Sequence, residues 1–296
     1  MNETEKTLIL AALKQKTVTF PDQTHVRALG QGTWRMGEES ERHEAEIEAL
    51  RVGLDSGMEL IDTAEMYGEG ASEELIRDAI ADRREEVFLV SKVYPHHAGG
   101  AALKKACSKS LERLGTDYLD LYLLHWRGDI PLKETVEGLE ALKQEGKIRR
   151  WGVSNFDVSD MKELLALPNG DQCAVNQVLY HLGSRGIEYE LLPLLREHGI
   201  PVMAYCPLAE GGSLRDQLLN HPTVEELAET HGVEPAQILL AWAMREGDVI
   251  AIPKAGQAHH VEANGRAALL NLTKEELAAL DQAFPAPTKK EPLDIV

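Results

Sequence analysis

The stretch ALGQGTWR, Ala28 to Arg35, decides between two α/β folds. It brings an apolar segment into two glycines one residue apart. The first βα turn of a dinucleotide-binding doubly wound sheet begins the same way, with G-x-G-x-x-G. Here the third glycine is missing and Arg35 stands in its place. That glycine lets the helix pack close to the strand, so the fingerprint fails at the position where it is most demanding. The competing architecture is a barrel of eight strand–helix units, and it requires eight strands from the rest of the chain.

The strands are there. Just upstream, TVTF and HVRA flank the turn PDQT and read as a small hairpin over 17–29. Downstream comes a helical stretch from about Glu44 to Ser56, closed by Gly57. Then MELID, VFLVSKV, LDLYLLH, RRWGVS, CAVNQV, PVMAYC and VIAIP follow in turn, with helical stretches between most of them. In one of these Leu103, Cys107, Leu111 and Leu114 recur at helical spacing up to Gly115; in another Leu132, Val136, Leu139 and Leu142 do so up to Gly146. Several strand segments are apolar on both faces, as parallel strands covered by helices must be. With ALGQGT they make eight, and no linker or change of composition interrupts them. The sequence therefore predicts one α/β domain over 1–296, a (β/α)8 TIM barrel whose bottom is closed by the N-terminal β-hairpin. Residues 1–16 read as an extra helix or a frayed extension, and 270–296 as a C-terminal helix and tail.

Bulk properties restrict the partners. The 296 residues carry 31 Lys and Arg against 49 Asp and Glu, a formal net charge of −18. Such a surface repels nucleic acid and anionic membranes, and any anionic ligand needs a local positive pocket. Three cysteines, Cys107, Cys173 and Cys206, are far apart and form no C-x-x-C, which argues against a disulfide framework or structural zinc and fits a reducing cytoplasm. No apolar run reaches the roughly 18–20 residues of a membrane span. The opening MNETEKTLILAALKQK places acids before a short apolar run and is not expected to be a signal peptide.

In a barrel the chemistry sits at the C-terminal ends of the strands. MELID ends at Asp62, VFLVSK near Lys92 and LDLYLLH at His125; Tyr67 follows the first of them in the loop AEMYGEG. Singly, Asp62 is equally well explained as a cap, Tyr67 as a packing aromatic and His125 as a hydrogen-bonded rim residue. Lys92 at the end of an apolar strand is harder to dismiss, because lysine is seldom buried without a partner. Together the four make a coherent set. A free phenol has a pKa near 10; a neighbouring ammonium favours phenolate and is expected to hold Tyr67 well below that. A buried ammonium needs a carboxylate, and a histidine can orient a substrate oxygen. The product is a proton donor aimed at a developing alkoxide, as carbonyl reduction by hydride transfer requires.

GQGTW, LIDTAEMYGEG, LVSKV, LYLLHW, GKIRRWGVSNF, NQVLYH, AYCPL and IPKA occur in order from Val18 to Pro285, and in this the chain resembles the aldo-keto reductase superfamily, particularly its bacterial methylglyoxal reductase-type members. The resemblance implies an NAD(P)H-dependent reductase of small aldehydes or α-oxoaldehydes, with Asp62, Tyr67, Lys92 and His125 as its catalytic tetrad and Tyr67 as proton donor. It implies that the nicotinamide rests on Tyr205, its carboxamide held by Ser154, Asn155 and Gln177. Gly32, Thr33 and Trp34 would lie by the cofactor, and Cys206 to Leu214, with Pro207 and Leu208, along the pyrophosphate. Lys254 would meet the 2′-phosphate, with His260 and Asn264 at the adenosine end. Trp34, Tyr94 and Trp126 would line a substrate pocket above the nicotinamide, and the loops after the fourth and seventh barrel strands are short, leaving few walls for a large substrate.

The adenosine segment IPKAGQAHHVEAN departs from the family pattern, which has serine after the lysine, arginine six residues after it and glutamate before the asparagine. This chain has Ala255, His260 and Ala263 there. Loss of a guanidinium weakens bidentate phosphate recognition, but Lys254 remains as a point charge, so NADPH is expected ahead of NADH, with NADH possible. The adjacent pairs His96-His97 and His259-His260 are expected to point apart and to hold no metal. Cys206 reads as a packing residue, and the chain as a monomer or weak homo-oligomer. Two other readings compete. One is a cofactor-sensing regulatory subunit of the same fold with little turnover. The other is a Schiff-base aldolase with Lys92 as nucleophile.

Overall fold

A computed structural model describes residues 1–296. Its strands, in chain order, are β1 (Thr17–Thr19), β2 (His25–Arg27), β3 (Gln31–Gly32), β4 (Leu60–Asp62), β5 (Phe88–Val93), β6 (Leu121–Leu124), β7 (Trp151–Ser154), β8 (Cys173–Leu179), β9 (Val202–Tyr205) and β10 (Val249–Ala251). From β3 to β10 each strand pairs in parallel with the next in sequence. A doubly wound sheet reverses its strand order at a switch point, and none occurs here.

The two outer strands meet. Leu29 bridges Ala251 and Gly32 bridges Lys254. The Ala251 N–H donates to the Ala28 carbonyl at 2.8 Å, and the Gly30 N–H to the Ala251 carbonyl at 2.9 Å. The seam is tight at Gly32, where a Cβ would stand 2.7 Å from the Ile252 carbonyl oxygen. That is one reason the Gly-x-Gly of the opening stretch belongs here: its second glycine closes a barrel.

Every residue of β4, β6, β7 and β8 is buried, which is why these segments lack polar alternation. The helices that cover them include Gly100–Leu114, burying Leu103, Cys107, Leu111 and Leu114, and Leu132–Gln144, burying Leu132, Val136, Leu139 and Leu142. At the N-terminal end of the barrel, β1 and β2 form the expected antiparallel hairpin. Phe20 in its turn packs edge-on against Phe88 at the start of β5, ring centroids 5.7 Å apart, and Arg150 ahead of β7 donates to Asp22 at 2.6 Å. The first residues are a helix, Glu3–Gln15, capped by the Asn2 side chain and anchored by fully buried Ile9 and Leu13. No helix is long and apolar enough to cross a membrane.

His181, just beyond β8, is 2% exposed, and its Nδ1 accepts the Gly183 N–H at 3.1 Å. Burial holds it neutral, with its pKa pushed down to about 4 against the opposing charge of Asp294. The folded state therefore binds fewer protons here than the unfolded chain. The associated stability is complete above pH ~6.5 and is lost as pH falls toward the folded value, about 3 kcal/mol in all. His181→Gln is expected to flatten the fall in stability from pH ~6.5 to ~4, read by urea unfolding at each pH. An unchanged slope would place the acid lability elsewhere.

Candidate active site

The C-terminal strand ends surround a cavity of about 350 Å³, within the range of small-molecule sites. Asp62 closes β4, Lys92 is the penultimate residue of β5 and His125 follows β6. Lys92 is fully buried, and its ammonium donates to three acceptors: Asp62 Oδ2 at 2.7 Å, the Thr63 carbonyl at 2.8 Å and the Tyr67 hydroxyl oxygen at 3.0 Å. The other Asp62 oxygen accepts from Gln177 Nε2 at 2.7 Å, from β8 across the barrel. The Thr33 hydroxyl donates to the Asp62 carbonyl at 2.8 Å and so ties β3 to β4.

Tyr67 reaches this pair because the chain turns sharply behind it. Gly68, Glu69 and Gly70 have φ of 57°, 53° and 101°, three left-handed residues in succession. Two are glycine, which takes that conformation freely; Glu69 holds it at a cost of roughly 1–2 kcal/mol. The turn folds the phenol back over the barrel mouth, its ring 5.8 Å from that of His125 and 4.7 Å from Lys92 Nζ.

The electrostatics correct one expectation. Burial, together with the charges of Asp62 and Cys206, holds Tyr67 well above 10, not below it. The ammonium beside it is already neutralised by Asp62, so the phenol faces a nearly neutral ion pair in a low-dielectric setting. Lys92 acts through its hydrogen bond to the phenolic oxygen more than through net charge. Burial raises the Asp62 carboxyl and lowers the Lys92 ammonium, and their 2.7 Å contact opposes both shifts. Burial and Lys92 hold His125 neutral, well below its usual pKa. Its Nδ1 is buried without a partner. An unpaired lone pair costs less than an unpaired N–H, so the proton belongs on Nε2, facing the cavity as a donor.

Around this centre the Ser154 hydroxyl donates to the Gln177 carbonyl at 2.9 Å. Asn155, in left-handed conformation with φ 58°, donates to the His125 carbonyl at 3.2 Å and accepts from the Tyr205 hydroxyl at 2.8 Å. Gly32, Thr33, Trp34, Ser154, Asn155, Gln177, Tyr205, Cys206, Pro207, Leu208, Trp126 and Lys254 all line the cavity with Asp62, Tyr67 and His125. A half-buried aromatic ring, convergent amides and unpaired cations suit a nicotinamide dinucleotide. Burial raises the Cys206 thiol to about 11, so it is a packing group rather than a reactive thiolate.

Four expected residues lie outside the cavity wall: Lys92, which reaches it through its bonds to Asp62 and Tyr67, and Tyr94, His260 and Asn264. Tyr94 is turned away: its ring packs on His96 and His97 and meets Trp126 edge-on at 5.9 Å, while its N–H is held by Glu65 at 2.7 Å. His260 and Asn264 belong to the helix Ala258–Arg266, which packs on the helix His43–Asp55 in the outer ring, beyond Lys254. The histidine pairs do not splay. Their ring centroids are 4.2 Å and 4.0 Å apart, because both pairs sit in helical turns, one 3-10 and one α, where successive side chains diverge by ~100–120° rather than pointing to opposite faces. No group of three or more His, Cys, Asp or Glu is placed to hold a metal ion.

The cavity also takes residues that sequence reasoning passed over: Arg35, Met66, Arg215 and Val296 among them. Val296 arrives because the C-terminal segment folds back, with Asp294 accepting from the Ser184 hydroxyl at 2.5 Å. Nothing in the residue pattern signals that return. Arg215 had a signal: the one cation of the stretch 206–220, just after a glycine-containing turn.

The profile of the Aldo/keto reductase family matches residues 28–284. A methylglyoxal reductase of Escherichia coli is 53% identical over 96% of this chain and 100% of its own length. A glyoxal reductase of Bacillus subtilis is 37% identical over 79% of this chain and 82% of its own. The crystal structure of an aldo/keto reductase from Klebsiella pneumoniae in complex with NADP and acetate superposes with a TM-score of 0.93 at 56% identity, covering 95% of this chain and 99% of the other.

Proposed function

The chain belongs to the aldo/keto reductase family, and from that premise we propose that it reduces small aldehydes and α-oxoaldehydes such as methylglyoxal to alcohols with NADPH, Tyr67 donating the proton. The observation that carries this reading is the buried Lys92 ammonium, fixed by Asp62 and hydrogen-bonded at 3.0 Å to a phenol on the wall of the cavity. The names of the relatives support the substrate class, and the Klebsiella pneumoniae complex supports the cofactor. Trp34 and Trp126 supply apolar walls, and the short loops 125–131 and 206–211 leave the mouth shallow. NADH serves as the weaker cofactor, and a cytoplasmic monomer or weak homo-oligomer completes the proposal.

The bound nicotinamide supplies the hydride. Neutral His125 donates from Nε2 to the carbonyl oxygen and orients it. As negative charge grows on that oxygen, Tyr67 gives up its proton to it. Lys92 Nζ, already donating to the phenolic oxygen, stabilises the phenolate that results, and Asp62 and Gln177 hold Lys92 in place. The aldolase reading is disfavoured because all three Lys92 protons have acceptors and the side chain is closed to solvent. The regulatory-subunit reading differs in a single measurable quantity, turnover.

Mixing the protein, NADPH and methylglyoxal is expected to bleach the nicotinamide absorbance, with kcat/KM flat from pH ~6 to ~9. The signs follow from the site. His125 stays neutral until well below 6.5, and Tyr67 stays protonated to above 10. Tight cofactor binding without turnover would favour the regulatory reading. An inflection near pH 6.5 would instead make a histidinium the proton donor.

A further inference from the structure

Arg215 stands in the first turn of the helix Gly212–Leu219, half-buried on the wall of the same cavity as Lys254. A helix N-terminus carries partial positive charge and disfavours a cation, so this is a poor place for an arginine unless an anion is to be met there. The chain has no shortage of carboxylates, with 49 against 31 bases. Of the cavity's cations Arg35 is paired, with Glu210 at 3.5 Å. Neither Arg215 nor Lys254 has an ion pair or a side-chain hydrogen bond, although Glu210 lines the same cavity and Asp216 is the next residue. Two unpaired cations at one cavity of an acidic protein mark a place kept for an anion.

The position of Arg215 gives that anion an identity. Arg215 and Lys254 line one cavity, Arg215 from the helix after β9 and Lys254 from the segment after β10 that leads into the helix Ala258–Arg266, where His260 occupies the arginine position of the family pattern. Burial, then the neighbouring His259, lower the His260 imidazole, with the charge of Arg215 a smaller contribution. Lys254 offers a point charge, and a neutral imidazole adds a single donor. Neither provides the planar fork that grips a phosphate through two parallel bonds.

Resting on the reading that the cleft takes NAD(P)H, we propose that Arg215 supplies the guanidinium that recognises the 2′-phosphate of NADPH together with Lys254, replacing the arginine missing at position 260. Discrimination between the phosphorylated and unphosphorylated cofactors then rests on the helix after β9 rather than on the helix after β10. The pyrophosphate, common to both cofactors, is left to the backbone of the glycine turn.

The test is direct binding, without substrate. NADPH and NADH are titrated separately into the protein and the quenching of its tryptophan fluorescence is followed, Trp34 and Trp126 lining the cavity. Arg215→Met is expected to weaken NADPH by ~10–100-fold and NADH by less than about twofold. Arg215→Lys recovers only part of the loss, because a point charge cannot form the bidentate contact. Adding His260→Arg to Arg215→Met restores NADPH affinity, since the longer side chain returns a guanidinium to the same phosphate from the helix Ala258–Arg266. Two results overturn the proposal: NADPH affinity within about twofold of wild type in Arg215→Met, or equal weakening of both cofactors, which would place Arg215 on the shared pyrophosphate. Wild-type protein that binds neither cofactor would defeat the cofactor reading itself, an outcome distinct from either.

Discussion

Tyr67→Phe is expected to lower kcat by at least ~10³-fold while NADPH affinity stays within about threefold of wild type. The substitution removes one oxygen and leaves the ring in place against His125 and Lys92. The Lys92 ammonium loses an acceptor but keeps Asp62 and the Thr63 carbonyl, so the ion pair survives and the stability cost is about 1 kcal/mol. What disappears is the only phenolic proton held beside that ammonium. Single-turnover measurement of nicotinamide oxidation, with binding followed separately by fluorescence, resolves chemistry from affinity. Turnover retained within tenfold of wild type would assign the proton to His125 or to solvent, and the pH profile would then acquire the acid-side inflection excluded above.

The separation of these effects depends on features of unequal visibility in the sequence. The barrel was legible because its strands are buried on both faces: VFLVSKV and CAVNQV cannot be anything but interior, and a lysine at the end of one of them demands a partner. Asp62, Lys92 and His125 could be placed by counting strand ends, since position along a barrel strand translates directly into position in the site. Tyr67 was legible as a companion but its titration was not, because the direction depends on whether the neighbouring ammonium is already neutralised. Gln177 illustrates the same limit. From the sequence its amide reads as a cofactor ligand, yet its Nε2 holds the second oxygen of Asp62 from 115 residues away. The places of Tyr94, Arg215 and Val296 are not legible in the sequence for a related reason. Which way a rim side chain turns is set by neighbours that no periodicity reports: the histidines that pack on Tyr94, the segment that folds back to bring Val296.

The ion pair at the centre invites the second large effect. Lys92→Met is expected to abolish measurable turnover and to lower stability by about 3–5 kcal/mol, because it leaves the Asp62 carboxylate buried with only Gln177 to serve it. The orphaned carboxyl would then take up a proton in the folded state, its pKa raised above the unfolded value. The deficit relative to wild type at the same pH should therefore be smallest in acid, grow as pH rises, and level off above that raised pKa. Adding Asp62→Asn removes the charge while keeping an acceptor for Gln177. The double variant is expected to recover at least half of the lost stability and none of the turnover, read by urea unfolding and by the absorbance assay. Such a recovery would show that the pair contributes little net stability for its burial and is retained for what it does to the Tyr67 oxygen. A double variant as unstable as Lys92→Met would instead trace the loss to packing of the lysine stem, and the pair would count as part of the barrel's frame.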